Sequence, residues 1–386
     1  MDKDFILDKN GMISDNDPIY EKLDEWHEND EYDNILETIY AIPREMWSNK
    51  LWFCVISALN NKKEFDKAKE ELDKITERCE TPQDKGSACY MLGYIYYMQD
   101  KEIKALDCYH QAMKEDPERD DLQSDCEDCR KCIDEAWNTL EKISKNIVKL
   151  IDISLNEVPK KDKIKPSENE FAITIGLIPS LRKMTCIDKY VGIENIFAKY
   201  DEDDKKIVRE WFLENCNIKD IKTLTNAYNN QLSINGRYED LVAYASGKPN
   251  FDIDDFDSDT RLVWDSCMTF CEKFMDKIPD GGLTAWDVSE KMGFLRHAYA
   301  SDIITDSEYI LAVMELTDEI REKYSSWKEY LTGYIFGAGM FMFCSNELNI
   351  SQAIEFMCDI AEIVLESDIP KYKWVDGLRR TIRFEN

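Results

Sequence analysis

Ser326-Trp327-Lys-Glu329-Tyr330-Leu-Thr-Gly333-Tyr-Ile-Phe-Gly337-Ala-Gly339-Met-Phe-Met-Phe343 is the most apolar run of the chain, and it opens on a helix-start signature. In a capping box, a Ser or Thr side chain accepts from the third helical N–H. The Asp or Glu three residues on reaches back to the cap's own N–H. The same spacing recurs at Thr284-Ala-Trp286-Asp287 and at Thr305-Asp-Ser-Glu308. Three successive helices are therefore expected between Leu283 and Phe343. Met340 to Phe343 are apolar on every face, so the last helix should be central, with Trp286, Trp327 and Tyr330 as its neighbours. Glycine inside a helix costs about 1 kcal/mol against alanine. Gly333, Gly337 and Gly339 thus read as points of close packing, a ligand seat being the alternative.

Fourteen Gly and ten Pro in 386 residues favour helices over a turn-rich β architecture, and the expected class is all-α. The length suffices for two domains with separate cores. A net charge of −30 opposes nucleic acid or an anionic membrane surface as the main partner, and favours a basic or neutral protein. The start of the chain has no export pattern. The apolar run near Leu331–Cys344 is shorter than the roughly 20 residues of a membrane span. Thirteen cysteines, an odd number, fit reduced thiols in the cytoplasm better than a disulfide framework.

Cys89-Tyr-Met-Leu92-Gly93-Tyr-Ile-Tyr96, followed by Ala105, Tyr109, Ala112 and Pro117, has the spacing of a tetratricopeptide repeat. Gly93 and Ala105 are small where two helices cross, and Tyr96 and Tyr109 fill the space beside them. A looser copy precedes it at Trp52, Val55, Leu59, Ala68 and Leu72, and a fainter one at Ile19, Leu23, Trp26, Ile35 and Ile39. Such units stack to bury their faces, which predicts a short solenoid over residues 1–155, capped by a helix from Leu122 to Leu155. Its first helices should turn Lys50, Phe53, Ser57 and Asn60, then Tyr90, Tyr94 and Tyr97, toward a protein partner, since tyrosines are frequent anchors. Packing of these tyrosines against a neighbouring unit is the alternative.

Residues 156–167, two prolines around a lysine run, read as a linker, and residues 168–386 as a second helical domain. Helices are expected over Phe171–Met184 and Glu194–Tyr200, and another starting at Asp201. The acidic stretch Pro249–Asp259 lacks the Gly and Glu positions of a calcium loop, and reads as a solvated loop ending in a helix cap. Gly281-Gly-Leu-Thr-Ala285-Trp286-Asp287, Leu295-Arg296-His-Ala-Tyr299 and Ser325-Ser326-Trp327-Lys-Glu-Tyr330 together resemble the blocks of the DUF1266 family. Trp211 to Ile218 and Gly236-Arg237-Tyr-Glu239 are similar to its more variable upstream half. Two positions depart from that pattern: Glu290 stands where an Arg is usual, and Arg237 where a His is usual. The family carries no assigned reaction, so the resemblance implies a domain and no chemistry. The departures count against any mechanism needing that Arg or His.

A catalytic reading would use Asp287, Glu290, His297 and Asp302, two or more carboxylates with an imidazole that titrates near neutrality. The structural reading makes Asp287 the partner of Thr284 in a capping box. Val288, Met292, Leu295 and Tyr299 are then the buried stripe, and Glu290 and His297 turn away from it. No phosphate-binding loop, nucleophile elbow or His-Glu-x-x-His motif occurs. Cys126, Cys129 and Cys132 have no fourth ligand at zinc spacing. No metal and no cofactor is expected. The basic stretches Lys371–Trp374 and Arg379, Arg380, Arg383 should dock on the protein's own acidic surface. The reading that follows is a protein–protein interaction scaffold. The alternative is an enzyme or small-ligand receptor with a pocket near Trp286, Arg296, His297, Trp327 and Tyr330.

Overall fold

The computed structural model describes residues 5–181, 198–249, 251–345 and 348–376. Among these the protein is all-α, with β pairing limited to two isolated bridges, Leu7–Ile13 and Ile164–Tyr372. The chain forms two compact units, Met1–Trp137 and Asn138–Asn386. No described helix is long and apolar enough to cross a membrane.

The first unit is a run of helical hairpins: α1 (Ile19–Glu28) with α2 (Tyr32–Tyr40), α3 (Asn49–Asn61) with α4 (Phe65–Thr76), and α5 (Pro82–Tyr97) with α6 (Glu102–Glu115). The long α7 (Gln123–Glu157) follows. The three hairpins close in the same way. Asp30, Lys63 and Asp100 each adopt a left-handed conformation, at φ 58°, 60° and 56°. The next residue's N–H then returns to a carbonyl five residues back: Glu31 to Trp26, Glu64 to Leu59, Lys101 to Tyr96. That is the helix-ending pattern in which the left-handed residue satisfies the last carbonyls. Small residues let the second and third pairs cross closely. Ala68 and Ala105 are fully buried, and a Cβ on Gly93 would meet the Tyr109 ring at 2.5 Å.

The second unit is organised around α14 (Thr284–Ala300) and α16 (Trp327–Cys344), which pack on each other. Around them stand α8 (Glu168–Ile175), α9 (Leu177–Leu181), α10 (Glu202–Cys216), α11 (Ile221–Asn229), α12 (Ile234–Ala245), α13 (Ser258–Phe274), α15 (Asp306–Lys323) and α17 (Ile350–Glu366). Tyr330 to Met340 of α16 are buried without interruption, because no polar face had to be turned outward. The helix expected from Phe171 breaks at Gly176 into α8 and α9, and its last residues lie outside the described ones. Most of the helix expected over Glu194–Tyr200 does too, and residues 198–200 carry no regular structure.

Two of the three capping boxes need correction. Thr305 and Glu308 form the full reciprocal box. Ser326 accepts from Glu329 N–H at 3.2 Å, but the Glu329 carboxylate bonds Ser325 instead of the cap. Thr284 does not cap at all: it is the first residue of α14, buried, its hydroxyl without a partner among the described residues. The start of α14 is held by Tyr324, whose hydroxyl accepts from Ala285 N–H at 3.0 Å and donates to the Gly282 carbonyl at 3.0 Å. In the acidic loop, Asp257 caps α13 through Thr260 N–H, and Phe251 and Phe256 pack on Trp264.

Candidate functional site

In the first unit, the first helix of each hairpin contributes to one band of polar and aromatic side chains. His27 Nε2 of α1 lies 3.1 Å from Ser57 Oγ and 3.4 Å from Asn61 Nδ2 of α3. The Tyr94 hydroxyl of α5 donates to Asn61 Oδ1 at 3.2 Å. Tyr90 stacks on Tyr94 and on Tyr109, with the Arg119 guanidinium 5.0 Å from its ring centre. All of these side chains except Tyr109 remain at least partly exposed.

The expected partner-binding residues divide accordingly. Tyr90 and Tyr94 lie in the band. Lys50 is exposed, with its ammonium over the Tyr20 ring at 4.1 Å. Phe53 packs against the core of the unit, and Tyr97 against a cluster of Ala105, Tyr109, Cys126 and Cys129. Asn60 is fully buried with no partner for either amide atom among the described residues, and it is Asn61 that faces the band. One residue along a helix is a 100° turn. His27 and Asn61 were not singled out from the sequence, because polar residues at the end of an amphipathic helix carry no mark of their own. Burial pushes the Cys129 thiol up to about 12, so this cysteine is an inert part of the packing.

In the second unit, α14 sends its polar side chains to three different places. At its start, Asp287 reaches across to the first turn of α12. It accepts from Ser233 Oγ at 2.5 Å, from Ile234 N–H at 2.9 Å and from Asn235 N–H at 3.1 Å. Asn235 answers by accepting from Leu283 N–H at 2.8 Å. The segment around Gly236-Arg237 and the Trp286-Asp287 segment are thus clamped together. Residues 195–373 match the family model DUF1266, described as a protein of unknown function. No curated protein and no solved structure matches the chain.

The matched segment holds the other candidates apart. Glu290 accepts from the Tyr334 hydroxyl at 3.0 Å, and so does not turn away from the core. Trp286 is buried against Tyr334, Phe341 and Phe356. Arg296 is 3% exposed, with its guanidinium 5.5 Å from the centre of the Tyr200 ring, and burial pushes its pKa down. His297 Nδ1 lies 2.6 Å from the Tyr200 hydroxyl. Trp327 and Tyr330 belong to a further cluster with Phe171 and Trp374, where the Tyr330 hydroxyl donates to the Ile175 carbonyl at 2.6 Å. Of the expected pocket residues, the structure therefore groups Trp327 with Tyr330 and Arg296 with His297, and leaves Trp286 elsewhere. Across α13 and α16, Cys267 and Cys344 approach to 3.6 Å, 77 residues apart in sequence. Their shared hydrogen bond raises the Cys267 thiol and lowers that of Cys344, with Arg237 lowering both.

Asp302, the third carboxylate of the catalytic reading, sits at the left-handed turn that ends α14, at φ 58°. It pairs with Lys205 at 2.7 Å, Lys199 at 3.1 Å and Arg209 at 3.7 Å. The Lys205 bond, opposed by some burial and helped by Lys199, holds its carboxyl below the usual value of 3.8. A lowered folded value means that the contribution is complete above pH 3.8 and fades as pH falls through the folded value. Asp302→Asn tolerates the left-handed backbone. It is expected to cost up to about 1 kcal/mol near neutral pH, a figure limited by solvent screening of this exposed group. The deficit should shrink below pH 3.8. Melting temperatures of both proteins across that range check this, and a deficit that grows on acidification would contradict it.

Proposed function

We propose that the first unit is a tetratricopeptide-like array that binds an extended segment of a protein partner, in a cytosolic scaffold that joins this array to the DUF1266 segment. The observation that carries this reading is the band from His27 through Ser57, Asn61 and Tyr94 to Tyr90. Its members come from the first helix of three successive hairpins, which such arrays commonly turn toward their partners. The recurring left-handed turns at Asp30, Lys63 and Asp100, 33 and then 37 residues apart, support a repeat despite the loose spelling of the earlier copies. The band's hydroxyl, amide and imidazole groups bond one another at partly exposed positions. They can exchange those bonds for a partner's peptide groups at small cost. The odd number of cysteines is the ground for placing the chain in the cytosol.

The test is affinity capture of the full chain with quantitative mass spectrometry, set against the triple variant Asn61→Ala, Tyr90→Ala, Tyr94→Ala. Hot-spot truncations of this kind cost about 2 kcal/mol or more each. Proteins captured by the wild type should therefore be depleted at least about tenfold. Retention of every partner by a variant with unchanged circular dichroism and melting temperature would refute the reading. The rival, a receptor or enzyme pocket uniting Trp286, Arg296, His297 and Trp327, would draw on residues that lie in three separate clusters: Trp286 at Tyr334, Arg296 and His297 at Tyr200, and Trp327 at Trp374.

A further inference from the structure

Within the second unit, a cleft of about 620 Å³ opens between the end of α7, the segment after it, the start of α16 and the segment after α17. Among the described residues four lysines line it, Lys160, Lys163, Lys328 and Lys373, against a single carboxylate, Asp152. Two distant lysine-rich runs meet there. Ile164 N–H donates to the Lys371 carbonyl at 2.9 Å, and Lys373 N–H to the Ile164 carbonyl at 2.8 Å. The basic stretch at Lys371–Trp374, expected on an acidic surface, is paired with the other lysine run instead. Arg379, Arg380 and Arg383 lie outside the described residues.

The charge gathered here is only partly answered from within. Lys328 pairs with Asp152 at 3.0 Å, and Lys163 donates to the Leu155 carbonyl at 2.7 Å. Lys160 and Lys373 make no ion pair among the described residues. Burial and the neighbouring Lys160 push the Lys163 amine below its usual value, the response of a cation short of counter-charge. Ser326, the cap of the 18-residue α16, also lines the cleft, so the positive end of that helix adds to the field. The floor is aromatic. Trp327 and Trp374 stand 5.1 Å apart edge to face, and their indole N–H groups are buried without an acceptor among the described residues. A local excess of positive charge in a chain of net charge −30 marks a place built for an anion.

We infer that this cleft binds a small ligand carrying two or more phosphate groups. Its volume falls within the range that takes a nucleoside diphosphate. A long polyanion is disfavoured, because the positive charge is confined to the cleft while the chain as a whole is strongly acidic. The inference is independent of the partner-binding reading, which concerns the other unit.

The experiment is titration calorimetry of the full chain with inorganic pyrophosphate and with adenosine diphosphate, at low and at raised salt. Both probes should bind, more weakly at raised salt. The double variant Lys160→Gln, Lys373→Gln changes two exposed side chains and should weaken each probe at least about tenfold, with an unchanged melting temperature. Tighter binding of adenosine diphosphate assigns the aromatic floor to the base, and equal binding assigns recognition to the phosphates; both support the inference. Three results would overturn it: no binding of either probe at millimolar concentration, unchanged affinity in the double variant, or tighter binding of a single-stranded oligonucleotide than of either probe.

Discussion

Gly337→Ala is expected to lower the unfolding free energy of the protein by about 1–3 kcal/mol, although alanine is the better helix former by about 1 kcal/mol. The reversal of sign comes from the crossing of α16 on α14. A Cβ at residue 337 would lie 2.3 Å from Trp286 Cβ, 3.0 Å from its Cγ and 3.6 Å from its Cα. Cβ and Cα are fixed by the backbone, so no rotamer change relieves the closest of these contacts. The two helices would have to separate, and Tyr330 to Met340 are packed on every side. Shortening the tryptophan does not help, because Trp286→Ala keeps the offending Cβ. The double variant should therefore show the cavity cost of Trp286→Ala, about 3–5 kcal/mol, with no relief of the clash. Denaturant midpoints of the two single variants and the double variant decide the matter. A Gly337→Ala protein at least as stable as wild type would mean that α14 and α16 do not cross at this residue.

This crossing also shows how far the sequence could be read. The apolar run ending at Phe343 announced a central helix, and its glycines announced close neighbours; both are properties of one segment with an unmistakable pattern. The caps at Asp201, Asp257 and Thr305 are local for the same reason. What escaped is whatever joins distant segments. Thr284-Ala-Trp-Asp287 has the letters of a capping box, yet its acid serves a helix 53 residues earlier in the chain. Its own helix is held by Tyr324, 39 residues further along the chain. Trp286 and Arg296 share α14 but are ten residues apart, about 15 Å along the axis and on different faces. Proximity in the sequence suggested one pocket where the fold builds separate clusters. The Cys267–Cys344 pair and the lysine cleft are likewise products of tertiary contact, the second hinging on the pairing of Ile164 with Tyr372.

Asp287→Ala is expected to cost about 2 kcal/mol and to loosen α12 selectively. The first N–H groups of any helix lack partners within it. Here two of them, with the Ser233 hydroxyl, are answered by a carboxylate from another helix. Removing it leaves all three donors to water or unsatisfied, and it withdraws a negative charge from the positive end of α12. Burial works the other way: it pushes the Asp287 carboxyl above its usual value, against the three bonds that lower it. A raised folded value means that ionisation takes stability away as pH rises through it, so the charge itself is partly a burden. Asp287→Asn keeps an acceptor and drops the charge. It should lose less than the alanine variant, about 1 kcal/mol by analogy with other cap replacements. Hydrogen exchange supplies the local readout. Protection at the amides of Gly236 and Arg237, which bond Ser233, should fall in Asp287→Ala before that of α16 changes. A catalytic Asp287 predicts the opposite pattern, with unaltered stability and exchange in the asparagine variant. Equal stability of both variants and the wild type would therefore remove the clamp and restore this carboxylate as a candidate for chemistry.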